Sequence, residues 1–459
     1  SYLSNSSVTI GSTSVSLGGT ATTISGLTLT SGAFNGTLGA TTPSTAVVTS
    51  LTDSGLTAGR VNYNGTGGLL VDSANLTFDG TTLTANKVTS TNDASISGLT
   101  VGKGGGSVGT ATVLGINALA AINTGQYNTA IGVTAGQANT SGGSGTFVGG
   151  GAGNANTTGN YNSAYGAFSL YGNTTGTNNT ALGTSTLQAN TTASNNTAVG
   201  YQAGYSNTTG ANLVAVGYKA GYSGTATAGN YGSTFIGSNA GQATSTGTDN
   251  TIIGGFAGYS NTTGSYNIAL GGAALASNTT ASNNTAVGYQ AGYSTTTTGS
   301  NTFIGQTAGY SNTTGGNNTI IGQSAGYSNS TSNGNTFVGV GAGYNTTGAN
   351  NTFIGNGTTA PAGYYITSGA KNTILGGYDG NQGGLDIRTA SNWIVLSDGD
   401  GNPRTQIDNN GNLIQTVTGT APTLGTNSQM TFELTNNTTL KIKVRGTDGT
   451  TRSVSLTLA

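Results

Sequence analysis

Asp398, Asp400 and Asn402 stand at the first, third and fifth places of an Asp-Gly-Asp-Gly-Asn run, the spacing with which an oxygen-lined loop begins to wrap calcium. The sixth place of such a loop needs Gly for its sharp turn, and here it is Pro403; the twelfth needs a bidentate Glu, and here it is Asn409. The ordinary alternative is an Asp-Gly turn. Asp379, Asp398, Asp400 and Asp448 all precede Gly, as turn aspartates do. A pair of carboxylates flanking a glycosidic bond is the one hydrolytic chemistry left open. The chain has no Cys and no His, which excludes thiol chemistry, disulfides, imidazole bases and most transition-metal centres. The Gly-rich stretches do not follow a strand and open a helix, so they are not phosphate cradles. We therefore expect no catalytic residue, no metal, no cofactor and no enzymatic activity.

What remains is architecture. The chain has 459 residues, 82 of them Gly, and only 5% are charged. Disordered chains of low hydrophobicity are usually charged and do not carry aliphatic residues at fixed intervals, as this one does. With 11 basic against 12 acidic side chains the net charge is −1, which offers no electrostatic footprint for nucleic acid. No apolar run is long enough to insert in a membrane, and the first residues lack the layout of a signal peptide, although a chain beginning at Ser1 is compatible with an upstream segment.

The fixed interval is set by a Gly that closes an aliphatic pair, as in Thr197-Ala198-Val199-Gly200. This marker recurs at 115, 132, 149, 166 and 183, then at Gly200, Gly217, Gly237, Gly254, Gly271, Gly288, Gly305 and Gly322, and again at 339, 355 and 376. Twelve of the fifteen intervals are 17 residues, so the sixteen markers define one structural unit repeated in register. NTTASNNTAVGYQAGYS occurs twice, at 190–206 and 278–294. The unit has no helical periodicity, and its Gly and β-branched content opposes helix. Two short strands separated by turns fit it, with the Asn-Thr-Thr-Gly stretches at 173–176, 207–210, 261–264, 312–315 and 345–348 as turns in which Asn and Gly take positive φ. One unit per coil gives an all-β fold: a parallel β-solenoid, or β-roll, of sixteen ~17-residue repeats, whose coils stack at about 4.8 Å into a shaft of about 75 Å.

The residue before the marker is aliphatic in fifteen of sixteen units, Tyr165 being the exception, and the residue before that is apolar throughout. Neighbours on a strand point to opposite faces, so both faces are apolar. One face fills the coil; the other calls for a partner surface, which three shafts around a common axis would supply. A homotrimer is the expected assembly. Between Lys103 and Lys371 the only charged residues are Lys219 and Asp249, as suits coils stacked in register, where a repeated charge would face its own copy and ladders of Asn and Thr do the polar work instead. Tyr205, Tyr222, Tyr259, Tyr293, Tyr310, Tyr327 and Tyr344 all lie five residues after a marker and would form a longitudinal ladder, either stacked within the shaft or offered to sugars. The many Asn-x-Thr triplets follow from an Asn/Thr-rich repeat and carry no separate message about glycosylation.

The flanks differ. Residues 1–103 form a β-rich N-terminal region for attachment or shaft, with alternations such as Val8-Thr9-Ile10 and ISGLT at both 24–28 and 96–100. Residues 104–376 are the solenoid shaft. Residues 377–459 hold six of eleven basic and seven of twelve acidic residues and read as a small antiparallel cap or tip. Within it Met430-Phe432-Leu434, Leu440-Ile442-Val444 and Val454-Leu456-Leu458 alternate as three strands, Glu433 can pair across with Lys441 or Lys443, and 393–396 reads as a fully buried strand.

NNTAVGYQAGYSNTTG, NTFIGQTAGYSNTTG and NNTIIGQSAGYSNSTS resemble repeats of phage tail-fibre and appendage proteins. The flanks NLTFDGTTLTANKVTS, WIVLSDGDGNPRTQIDNNGNL and RGTDGTTRSVSLTLA look similar to such fibres too. More distantly, the repeat is similar to the head of trimeric autotransporter adhesins, although its period is longer and no coiled-coil stalk or membrane-anchor strands follow. The resemblance implies a homotrimeric virion appendage that spans distance and contacts a host surface through carbohydrate or another envelope molecule. The competing expectation is a cellular surface adhesin or secreted extracellular filament subunit.

Overall fold

The computed structural model describes residues 108–224, 232–356 and 361–415, together with strand segments between 7 and 103 and between 430 and 457. The chain divides into two units, Ser1–Thr89 and Ser90–Ala459. In the first, Ser7–Ile10 pairs with Thr13–Ser16, and Arg60–Asn64, Leu70–Phe78 and Leu83–Ala85 form an antiparallel meander.

The second unit is built on a parallel β-solenoid. Its sixteen three-residue strands run from Thr112–Leu114 to Thr373–Leu375, each pairing in parallel with the next and in register: Thr197 with Val214, Ala198 with Ala215, Val199 with Val216. The ladder then runs one coil past residue 376, because Ile394–Ser397 pairs in parallel with Thr373–Leu375. Each coil carries one strand rather than the two expected. Residues two and four after the marker have positive φ, as at Gln202 (54°) and Gly204 (59°), and this breaks extended geometry on that side. Backbone bonds between coils persist there nonetheless, for example from Gly204 N to Ala220 O (2.9 Å) and from Thr191 N to Thr208 O (2.9 Å).

The marker Gly turns the corner after the strand. Gly200 has φ 126°, and a Cβ there would stand 2.5 Å from the carbonyl oxygen of Gly217 in the next coil. No L side chain fits both constraints. The Asn-Thr-Thr-Gly stretches do bend the chain, but not through positive φ as expected. Left-handed residues lie instead five before the marker (Asn195, φ 62°), at the marker and at the two places beyond it. In four of the five stretches the Asn is buried, and its side chain can donate across the bend, as Asn207 Nδ2 does to Gly210 O (2.8 Å).

Buried asparagines form two longitudinal ladders. In the first, four before the marker, each Asn takes the backbone N–H of its successor: Asn284 Oδ1 accepts from Asn301 N (3.1 Å), and Asn301 Oδ1 from Asn318 N (3.0 Å). Its amide also donates to a carbonyl across the coil, as Asn267 Nδ2 does to Ala281 O (2.9 Å). Asn suits the place because it offers an acceptor and two donors without charge, and buried backbone groups cannot be left unpaired. In the second ladder, seven after the marker, some neighbouring amides bond to one another, as Asn190 Nδ2 donates to Asn173 Oδ1 (2.7 Å) and Asn278 Nδ2 to Asn261 Oδ1 (2.8 Å), whereas Asn312 and Asn329 do not. Outside these, Thr hydroxyls reach the next coil, as Thr262 Oγ1 does to Thr279 O (2.9 Å).

The apolar core is narrow and filled by exchange of bulk between two places. Where the strand centre is Phe, as at Phe147, Phe235, Phe303 and Phe337, Gly stands four after the marker in the same coil and in the one before. Where Leu170, Leu187 or Leu275 occupies that second place, the strand centres beside it are Ala. Core density forbids both large residues at once.

Both ends of the ladder are closed by antiparallel strands, which removes parallel edges that would template other chains. Leu99–Gly102 pairs antiparallel with Thr112–Leu114 and with Ala94–Ile96. At the other end Pro403–Ile407 pairs with Ile394–Ser397, and Leu413–Gln415 with Pro403–Ile407. The core end is covered by Tyr378 and Ile387, both fully buried, with the Tyr378 hydroxyl donating to Leu385 O (2.9 Å). Burial raises the Tyr378 phenol well above its ordinary pKa. Beyond this, Met430–Asn436, Thr439–Arg445 and Thr451–Thr457 form the expected meander, with Glu433 opposite Lys441 in the register.

Candidate functional site

Asp379, Asp386, Asp398, Asp408 and Asp448 each accept a backbone N–H of their own loop. Asp398 Oδ1 accepts from the backbone of Asp400 (3.1 Å) and Asn402 (2.9 Å), and Oδ2 accepts from Arg404 Nε (2.9 Å). The Asn402 amide and the Arg404 guanidinium hold this carboxyl down to about 2. An ion-paired side chain turned onto its own loop is an Asx turn, not a cation cradle. The same device returns at Asp408, whose Oδ1 accepts from Asn410 N (2.9 Å) and Asn412 N (2.8 Å). Asp398-Gly-Asp-Gly-Asn402 and Asp408-Asn-Asn-Gly-Asn412 are therefore two copies of one hairpin turn. Asp386 with Arg388, and Asp448 with Arg452, are further local pairs, each arginine lowering its partner's pKa. Among the described residues no three His, Cys, Asp or Glu converge.

The solenoid presents two candidate surfaces. The first is the outer face of the strand. The central residue is buried in every coil, whereas the residue just before the marker points outward: it is exposed in nine of the sixteen coils, from 36% at Ile236 to 49% at Leu182, and half-buried in the other seven, among them Val199, Ile253 and Ile321. Leu114, Ile131, Leu182, Ile236, Leu270, Ile304, Ile354, Leu375 and Leu396 lie along this exposed row, and Tyr165 interrupts it. In 393–396 the expectation of full burial fails for the same reason: Val395 is buried, but Ile394 and Leu396 stand 40% and 41% exposed on the outer face. One after the marker, Ile116, Val133, Tyr201, Tyr218, Tyr289 and Val340 are also exposed and apolar, in coils interspersed with others that carry Gly, Thr184, Ser238, Gln306 or Gln323 at the same place. Stacked at about 4.8 Å per coil, the sixteen coils carry the row just before the marker along about 75 Å of surface.

The second surface is aromatic. Tyr293, Tyr310, Tyr327, Tyr344 and Tyr364 form one stack, with successive ring centroids 5.2, 5.0, 5.0 and 5.0 Å apart. Tyr205 and Tyr222 form a separate pair at 5.1 Å. Tyr259 stands outside both stacks, because Gln242 and Ala276 occupy its place in the adjoining coils; it packs against Phe256 at 5.7 Å. Rings spaced this closely cover one another's faces, so their edges are what solvent meets. Lys219 Nζ lies 5.3 Å from the Tyr218 ring and 5.4 Å from that of Tyr222, a cation–π arrangement. The acceptor-like asparagines 173, 207 and 312 are fully buried and so unavailable to a glycan.

The marker glycines and tyrosines were legible from spacing alone. Ladders of Asn and Thr were expected between the coils, but not the two places that carry the Asn, four before and seven after the marker. The exchange of Phe–Gly for Ala–Leu was also missed; correlating residue volumes between the two places would have found it. No family model, curated protein or solved structure matches the chain.

Proposed function

We propose that this chain is a structural fibre protein, a phage-type tail fibre or other virion appendage, in which the solenoid is a rigid spacer and the flanking regions attach at one end and face a host surface at the other. The observation that carries this reading is the outer aliphatic row, which runs through the whole ladder on a shaft almost without charge. Water-facing Leu and Ile side chains recurring along such a row favour burial against a second copy. A closed arrangement about a common axis satisfies each copy equally, and three narrow shafts do so with their strand faces inward. The partner is thus the chain itself, as a homotrimer, with host-surface carbohydrate or another envelope molecule bound at the distal end. Location on a virion, or at a cell surface, follows from that role, and no catalytic step belongs to it.

Particle morphology tests the proposal. Negative-stain microscopy of the purified chain should show uniform, unbranched rods of one length. Polymers growing end to end would move the protein to the secreted filament class, and compact single-chain particles would remove the fibre reading. Capsid and tail genes beside the reading frame would support the virion, and a secretion signal upstream of Ser1 a cellular adhesin.

A further inference from the structure

The tyrosine stack has a reactivity that a spacer does not require. Five phenols stand in one file at 5.0–5.2 Å, with interplanar angles of 7°, 4°, 5° and 21°. All five are half-buried: the phenols are reachable by a small oxidant, while the backbone beneath holds each ring beside its neighbour. The chain has no Cys and so no disulfide with which to staple one coil to the next. We propose that the stack Tyr293–Tyr364 is a site of oxidative coupling, in which neighbouring tyrosines join as dityrosine and tie adjacent coils covalently.

The chemistry balances with a one-electron oxidant of the photochemical or peroxidase type. Each of two neighbouring phenols gives up one electron to the oxidant and its hydroxyl proton to water, leaving two tyrosyl radicals. A carbon–carbon bond forms between ring carbons ortho to the oxygens. Each coupled ring then loses its remaining ortho hydrogen as a proton while the phenolic oxygen regains one. The net change is the loss of two electrons and two protons, two mass units per crosslink, with two equivalents of oxidant reduced. Register promotes the step because the partner is already in place and no second molecule must be found. A ring without a tyrosine in the adjoining coil, such as Tyr259, lacks that partner. The inference does not depend on the fibre reading, since it concerns neighbouring coils of one chain.

The full chain, at high dilution, would be irradiated with tris(bipyridyl)ruthenium(II) and persulfate and then digested and mapped by mass spectrometry. Dityrosine should join Tyr293, Tyr310, Tyr327 and Tyr344 to their neighbours in the stack, at least about tenfold above any product containing Tyr259. Tyr327→Phe, which keeps the stacked ring but not the phenol, should abolish the 310–327 and 327–344 products and leave 293–310. Absence of coupled products, coupling only between molecules, or equal yield at the isolated exposed tyrosines 127, 161 and 266 would overturn the proposal.

Discussion

Exchanging bulk between two places of the core should be far cheaper than changing either alone. Phe303 is fully buried, and a Cβ on Gly292 would stand 2.5 Å from its Cδ2 and 3.0 Å from Leu275 Cδ2. Phe303→Ala empties a ring-sized volume and should cost about 3–5 kcal/mol. Gly292→Leu drives a side chain into that ring and should cost about 1–3 kcal/mol. Independent effects would sum to about 4–8 kcal/mol. The double variant instead recreates an arrangement the chain already uses, where Leu187 sits between Ala181 and Ala198 and takes φ 49° without difficulty. Its cost should fall below about 2 kcal/mol, a coupling of several kcal/mol between the two sites. Urea melts give the midpoints, and native-state hydrogen exchange over 286–310 localises the effect. Additive losses would refute the claim that the core is filled by compensation.

Other consequences are more local. Asn284→Ala strips the acceptor from the Asn301 N–H and should destabilise by about 1–3 kcal/mol, with faster exchange of the Asn301 amide; unchanged protection would deny the ladder its role. Gly254→Ala sets a Cβ 2.5 Å from Gly271 O at φ 135° and should cost at least about 2 kcal/mol, read from thermal melts, whereas Ala at exposed Gly255, which meets nothing within 4 Å, should be nearly silent. Asp398 is ionised in the folded turn down to about 2, below the usual value of about 3.9, so its contribution is fully present above about pH 4 and is lost as pH falls through about 2. Protection of the Asp400 and Asn402 amides should follow that titration, and Asp398→Asn should remove the step.

Spacing made the solenoid legible because each coil must return to the same place, and at the sixteen marker positions the corner leaves no room for a side chain. Register in the sequence is register in space, as the pairing of Val199 with Val216 shows. The strand count was misjudged for a reason internal to the repeat: Gly, Gln, Asn and Ser at the left-handed places look like loop residues of a second strand's flank, yet their positive φ removes that strand altogether. The extra coil at 394–397 was hidden because Trp393 replaces the ladder Asn and Ser397 the marker Gly, although Asn372 Oδ1 still accepts the Trp393 N–H (2.9 Å). The doubly apolar strand was read correctly as two faces, but which residue filled the core and which faced water followed only from the corner geometry. Turn chemistry at Asp398 was visible in Asp-Gly, and its repetition at Asp408 lay in plain view as a second five-residue run opening with Asp and closing on Gly-Asn.

The claim on which the functional account rests is that the outer aliphatic row is buried between copies of the chain. Multi-angle light scattering of the full chain measures this directly. The account expects a mass near three times 44.8 kDa, and a substantial fall toward one times that mass when Ile253 and Ile321 are both replaced by Asp on the outer row. A single-chain mass for the unaltered protein, at every concentration measured, would contradict it.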